Sequence, residues 1–190
     1  MMPYQSDATI IVIGDCSSEA QTLRLIVENL GCKTDFNPTG NPTDFLAVLN
    51  SVPASCRVVI ICAHGDANGL VFGEFFPEVD ASLLIQGSLP ARHLRLAPTA
   101  ATGRIIFTTA CETGTAAFAR TFLDAGAAAF LAPADFPDGE DIVLFIHALL
   151  YQVLNRKQPL PRTWDRLNDA GLNTGLMSLS RRLGPEKAEN

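Results

Sequence analysis

A histidine and a cysteine, each placed directly after an apolar run, are the residues of this chain best suited to chemistry. The first run is Val58-Val59-Ile60-Ile61-Cys62-Ala63, and it ends in His64-Gly65. The second is Ile105-Ile106-Phe107-Thr108-Thr109-Ala110, and it ends in Cys111-Glu112-Thr113-Gly114. A thiolate is a good nucleophile and an imidazole moves protons near neutral pH, so the pair is raw material for covalent thiol catalysis. The roles divide by chemistry: Cys111 attacks a carbonyl carbon, while His64 protonates the leaving amine and then activates water. Gly65 permits a close backbone approach, and its N–H and that of Cys111 are candidate oxyanion donors. A helix expected to open at Gly114 would lower the pKa of the Cys111 thiol.

Taken singly, these residues read as structural. Cysteine is among the most buried residue types, and Cys16, Cys32, Cys56 and Cys62 read as core or half-buried thiols. His93 and His147 lack a comparable setting and read as structural. The catalytic reading comes from the pair, at equivalent ends of two strands, each beside a glycine. No CxxC or HxxxH spacing occurs, so neither a metal nor a cofactor is expected.

The surrounding pattern predicts how the pair is positioned. Strands are expected over 8–14, 32–36, 57–63, 104–110 and 127–132. Helices are expected over a segment opened by a Ser18/Gln21 capping box and stopped at Gly31, over 43–50 with Asn41 as N-cap and Pro42 as its first residue, over 114–126 and over 141–155. A short helix over 89–96 and a weaker helical region from Arg162 to about Leu183, broken near Gly171 and Gly175, complete the pattern. Trp164 is expected to anchor that last helix onto the sheet. Residues 68–86 interrupt the alternation and read as a hairpin excursion over the end of the sheet. Alternating strands and helices predict an α/β, three-layer αβα sandwich with a mostly parallel sheet of order 2-1-3-4-5. That order sets Asp15, His64 and Cys111 beyond the carboxyl ends of three neighbouring strands, where ligands bind in such sheets.

Bulk properties narrow the function classes. The chain has 190 residues, 47% hydrophobic and 18% charged, and a net charge of −6. It is expected to form a single domain over 1–190, with frayed tails at 1–7 and 184–190. Only three lysines and no basic run argue against nucleic-acid binding. No stretch has the pattern of a signal peptide or the length of a membrane span. Five scattered cysteines fit a reducing, cytoplasmic setting better than a disulfide frame.

Ala110-Cys111-Glu112-Thr113-Gly114, the following A-x-x-F-L-x-A-G-A-x-x-x-L at 119–131, and Ala63-His64-Gly65 together resemble the CHAT domain. This is a caspase-like (clan CD) group of cysteine peptidases related to caspases, metacaspases, gingipains and separase. The resemblance covers about residues 56–170, including Ser88–Leu94 between His and Cys and the acidic run Asp138–Asp141. The separation of His64 from Cys111 is close to the roughly 50 residues of caspases. The resemblance implies a caspase-like sandwich, a His64/Cys111 dyad whose members need not touch at rest, and oxyanion donors at Gly65 and Cys111. Two features depart from it. Ala132-Pro133 stands where these domains commonly carry a tryptophan, and no tetratricopeptide repeats are present.

Relatives of this kind select the side chain before the cleaved bond, in a pocket near the ends of the first, third and fourth strands. Asp15 is expected to reach that pocket as a buried carboxylate favouring Arg or Lys, with Asp135 as a second candidate. Some metacaspases bind calcium, but Asp135, Asp138, Glu140 and Asp141 read better as complements to a helix dipole. The resulting expectation is a cysteine endopeptidase acting on a protein or peptide substrate, with a regulatory protein partner or a homodimer. The alternative is a catalytically inactive caspase-like interaction module. A glutaminase-like hydrolase is disfavoured, because there the histidine lies far downstream of the nucleophile.

Overall fold

A computed structural model of the chain describes residues 6–173 and 177–182. The order is β1 (Ser6–Ile13), α1 (Ser17–Asn29), β2 (Cys32–Thr39), α2 (Pro42–Ser51) and β3 (Cys56–Cys62), then three short strands, β4 (His64–Asp66), β5 (Gly69–Val71) and β6 (Ser88–Leu89). A single 3-10 turn at Ala91–His93 leads to β7 (Ile105–Thr108), α3 (Ala116–Asp124), β8 (Ala129–Pro133) and α4 (Gly139–Leu150). The last helix, α5 (Leu160–Asp169), follows a π turn, and β9 (Met177–Arg181) comes last.

Six strands form one sheet in the order β2-β1-β3-β7-β8-β9. The first five are parallel, in the expected 2-1-3-4-5 order, and β9 adds an antiparallel edge. The central strands are nearly all apolar because both faces are covered. Ile10, Ile60, Phe107 and Leu131 share one register row, and it packs with Leu23 and Val27 of α1 and Phe145 and Leu149 of α4. The alternate residues Ile11, Val59, Ile61 and Ile106 pack on the other face with Phe45 of α2 and Phe122 of α3. The mixed α/β architecture is therefore a sheet between two helical layers.

Several local expectations need correction. The Ser18/Gln21 capping box does not form: α1 starts at Ser17 after Cys16, with no side-chain cap. Asn41 does cap α2, its Oδ1 accepting the Asp44 N–H at 2.9 Å. The helix expected over 89–96 is one 3-10 turn. The excursion is a three-stranded antiparallel sheet, β4-β5-β6, and it begins at His64 itself. The expected helical region 162–183 is helical only to Asp169, and Met177–Arg181 is a strand. Trp164 packs against the core layer between the sheet and α4, edge-on to Phe145 with ring centroids 5.6 Å apart. Ser6 and Asp7, expected to fray, belong to β1. The remainder of the expected tails and the break at Gly175 lie outside the described residues.

Candidate active site

The segment Thr108–Gly114 is held at nearly every residue. The Thr109 N–H donates to the Ile61 carbonyl at 3.0 Å, carrying the β3–β7 pairing past the end of β7. Thr108 Oγ1 accepts the Ala110 N–H at 3.1 Å, and the fully buried Thr113 donates from Oγ1 to the Ala110 carbonyl at 2.6 Å. The Glu112 N–H donates to the Asp135 carbonyl, and the Gly114 N–H to the Pro133 carbonyl. Between these anchors Glu112 takes a left-handed backbone with φ of 57°, a conformation costly for a residue with a side chain. The chain thus turns sharply just after Cys111. Gly114 is required by packing, since a Cβ there would lie 2.6 Å from Ser178 Oγ on β9.

His64 follows β3 and opens β4, where it pairs with Val71. A Cβ on Gly65 would sit on the Cys111 carbonyl oxygen and 2.9 Å from its nitrogen. The glycine therefore lets the His64–Gly65 backbone pass directly against Cys111; the close approach is to the Cys111 backbone itself.

Both side chains border one cavity of about 340 Å³, lined also by Asp15, Cys16, Glu19 and Thr109. Among the described residues, no lysine or arginine lines it. Cys111 is half-buried and His64 exposed. Burial pushes the Cys111 thiol up, its own backbone N–H pulls it down, and the nearby carboxylates of Glu112, Glu19 and Asp135 raise it further. The expected lowering by a helix is thus overturned. α3 opens only at Ala116 and is capped by its own Thr115, so burial and negative charge prevail at the thiol.

Asp15 borders the cavity as expected, but it is not buried. Its Oδ1 lies 2.9 Å from His64 Nε2, with side-chain exposures of 86% for Asp15 and 67% for His64. Asp135 is exposed and does not line the cavity; its Oδ1 accepts the Phe136 N–H. The acidic residue deep in the cavity is Glu19, on the first turn of α1. Its Oε2 accepts a 2.9 Å hydrogen bond from Thr109 Oγ1, which in turn accepts the Ala63 N–H at 3.3 Å. Burial raises the Glu19 carboxyl above its ordinary value, while the Thr109 bond and nearby His64 oppose that shift. Sequence reasoning missed Glu19, because an acid in a first helical turn looks like a dipole complement. Cys16, read as a core or half-buried thiol, is buried and also lines the cavity.

A second hollow of about 600 Å³ runs between α1 and α4, with Ile26, Val143 and Leu144 as its apolar wall. It shares Ser18, Glu19 and Gly139 with the first, so the two form one continuous furrow.

No family model matches the chain, and the search of curated proteins gave no match. Solved structures do match. Two crystal structures of the Saccharomyces cerevisiae separase–securin complex superpose with TM-scores of 0.56 and 0.59 at 12% identity, over 93% and 94% of this chain. The chain spans only 12% of the separase chain. The Arg-specific cysteine proteinase gingipain R superposes with a TM-score of 0.52 at 14% identity, over 82% of this chain and 38% of its own. At these identities the likeness is one of fold, and the fold of this chain is the caspase-like sandwich of separase and gingipain.

Proposed function

We propose that the chain is a caspase-like cysteine endopeptidase of CHAT type, with Cys111 as nucleophile and His64 as general acid and base. One observation carries this reading: Cys111 and His64, on separate strand ends, border the same cavity. His64 takes the Cys111 thiol proton as the sulfur attacks the scissile carbonyl carbon, and the resulting oxyanion is received by the backbone N–H groups of Cys111 and Gly65. The tetrahedral intermediate collapses to a thioester as the amine leaves with a proton from His64. His64 then takes a proton from water, which attacks the thioester and releases the acid and the thiol.

Asp15 and Glu19 in the cavity, with no lysine or arginine among the described residues lining it, support a preference for Arg or Lys before the cleaved bond. Glu19 is the better-placed carboxylate, since Asp15 is engaged with His64. Gingipain R, named as Arg-specific, has the same fold. Asp135, outside the cavity lining, is left with a backbone role at the turn after Cys111. The raised thiol and the His64–Asp15 pair describe a resting site that substrate or a protein partner must switch on. Separase, a fold neighbour, was crystallised in complex with a protein, securin.

The test is an electrophilic peptide probe carrying arginine next to its warhead. The expected result is covalent labelling of Cys111, lost in Cys111→Ala and strongly slowed in His64→Ala. Labelling equal in wild type and His64→Ala would sink the dyad. Absence of any labelling, with partner-containing extract added, would favour the inactive interaction module instead.

A further inference from the structure

Asp15, Cys16 and His64 come from two distant parts of the sequence, yet each presents one ligand atom to a common point. The carboxylate oxygen, the sulfur and the ring nitrogen all lie within 4.8 Å of one another. The oxygen and Nε2 are already 2.9 Å apart. Zinc binds sulfur at about 2.3 Å and imidazole nitrogen or carboxylate oxygen at about 2.0–2.2 Å, so tetrahedral ligand atoms sit roughly 3.3–3.8 Å from one another. The three groups straddle that spacing and need only small side-chain rotations to meet it.

We propose that Asp15, Cys16 and His64 form a zinc site at the mouth of the cavity, with the fourth position open to water. The donor set selects the ion: one thiolate, one imidazole and one carboxylate suit zinc, whereas calcium takes oxygen ligands only. The surroundings favour a cation as well. Glu19 lies on the same cavity wall, and no lysine or arginine lines that wall to repel the ion. Asp15 and His64 are exposed, which gives the ion an entry path. Binding replaces the Cys16 thiol proton by the metal and releases that proton to solvent.

Zinc on His64 Nε2 takes away the lone pair that would carry protons to and from the substrate. The consequence for activity, reversible inhibition, rests on the peptidase reading; the binding itself does not. The experiment therefore uses the reduced Cys111→Ala chain, which performs no turnover. Zinc affinity is measured by competition with a chromophoric chelator, and cobalt(II) serves as a spectroscopic substitute. The expected result is one zinc per chain, a cobalt–thiolate charge-transfer band, no competition by calcium, and loss of the band in Cys16→Ser. Removing outer-shell partners of metal ligands typically costs about 10–100-fold in affinity. Asp15→Asn and Cys16→Ser should thus each weaken zinc at least about tenfold. Affinity unchanged in Cys16→Ser, or a cobalt complex lacking the thiolate band, would overturn the site. A wild-type chain whose Cys111 labelling is unaffected by saturating zinc would overturn the inhibitory role while leaving the binding result standing.

Discussion

The Cys111 thiol, the proposed nucleophile, lies in a setting that resists its ionisation. Burial is the main cause, and Glu112, Glu19 and Asp135 add to it. Because its pKa lies above the ordinary 9.0, the thiolate is scarce at neutral pH and keeps growing as pH rises past that value. Alkylation of Cys111 by iodoacetamide, measured with a chelator present, should accordingly still be accelerating above pH 9.0. A rate that levels off near neutrality would show an activated thiol instead. Glu19 carries the second prediction at this scale. Glu19→Gln keeps an acceptor for the Thr109 hydroxyl but removes the charge. A charge-assisted hydrogen bond is worth about 2 kcal/mol, so kcat/KM for an arginine substrate should fall about 30-fold, with little change for an uncharged one. Equal loss on both substrates would mean that Glu19 supports the site rather than selecting the substrate.

The elements bring these residues together through close backbone passages. β4 runs so near the turn after β7 that Gly65→Ala would drive a methyl group into the Cys111 backbone. Overpacking of this kind costs about 1–3 kcal/mol. Gly65→Ala should lower thermal stability by that amount and displace Cys111, so that probe labelling falls more than stability alone explains. Arg104, buried at the start of β7, fastens the opposite end of the sheet. It donates to the carbonyls of Ala100, Val52 and Pro53, tying the strand to the segment after α2. Arg104→Met leaves those acceptors without their donor and should cost roughly 3 kcal/mol in urea denaturation. The central parallel strands were legible in sequence because each is a largely apolar run, and His64 and Cys111 stood out because polar chemistry begins abruptly where two of those runs stop. β4 was hidden: His64-Gly65-Asp66 has no strand-forming residue, and its pairing depends on β5. β9 was hidden too, because Met177–Arg181 is short and half-exposed, with no strong period to set it apart from the helix before it. The convergence of Asp15 and Cys16 on His64 leaves no motif, because it arises from the adjacency of β1 and β3.

At the scale of the whole molecule, charge and shape act together. The net charge is −6, and the furrow formed by the two cavities carries Asp15, Glu19 and Glu140, with no lysine or arginine among the described residues that line it. A cleft lined by one sign of charge focuses its field and raises the local concentration of ligands of the opposite sign. On the proposed preference for Arg or Lys, a basic peptide is drawn toward the strand ends before it meets Glu19, and this contribution acts over distances that salt can screen. Raising ionic strength from about 0.01 M to about 1 M shortens the screening length from roughly 30 Å to roughly 3 Å. The labelling rate of an arginine-bearing probe should therefore fall several-fold over that range, while an uncharged probe of the same warhead holds nearly constant. Neutralising Glu140, which borders the α1–α4 hollow but not the Cys111 cavity, should reduce the salt sensitivity without changing the rate of the uncharged probe. A salt response equal for both probes would place the effect on the fold or the thiol, and would remove long-range attraction from the account of how substrate reaches Cys111.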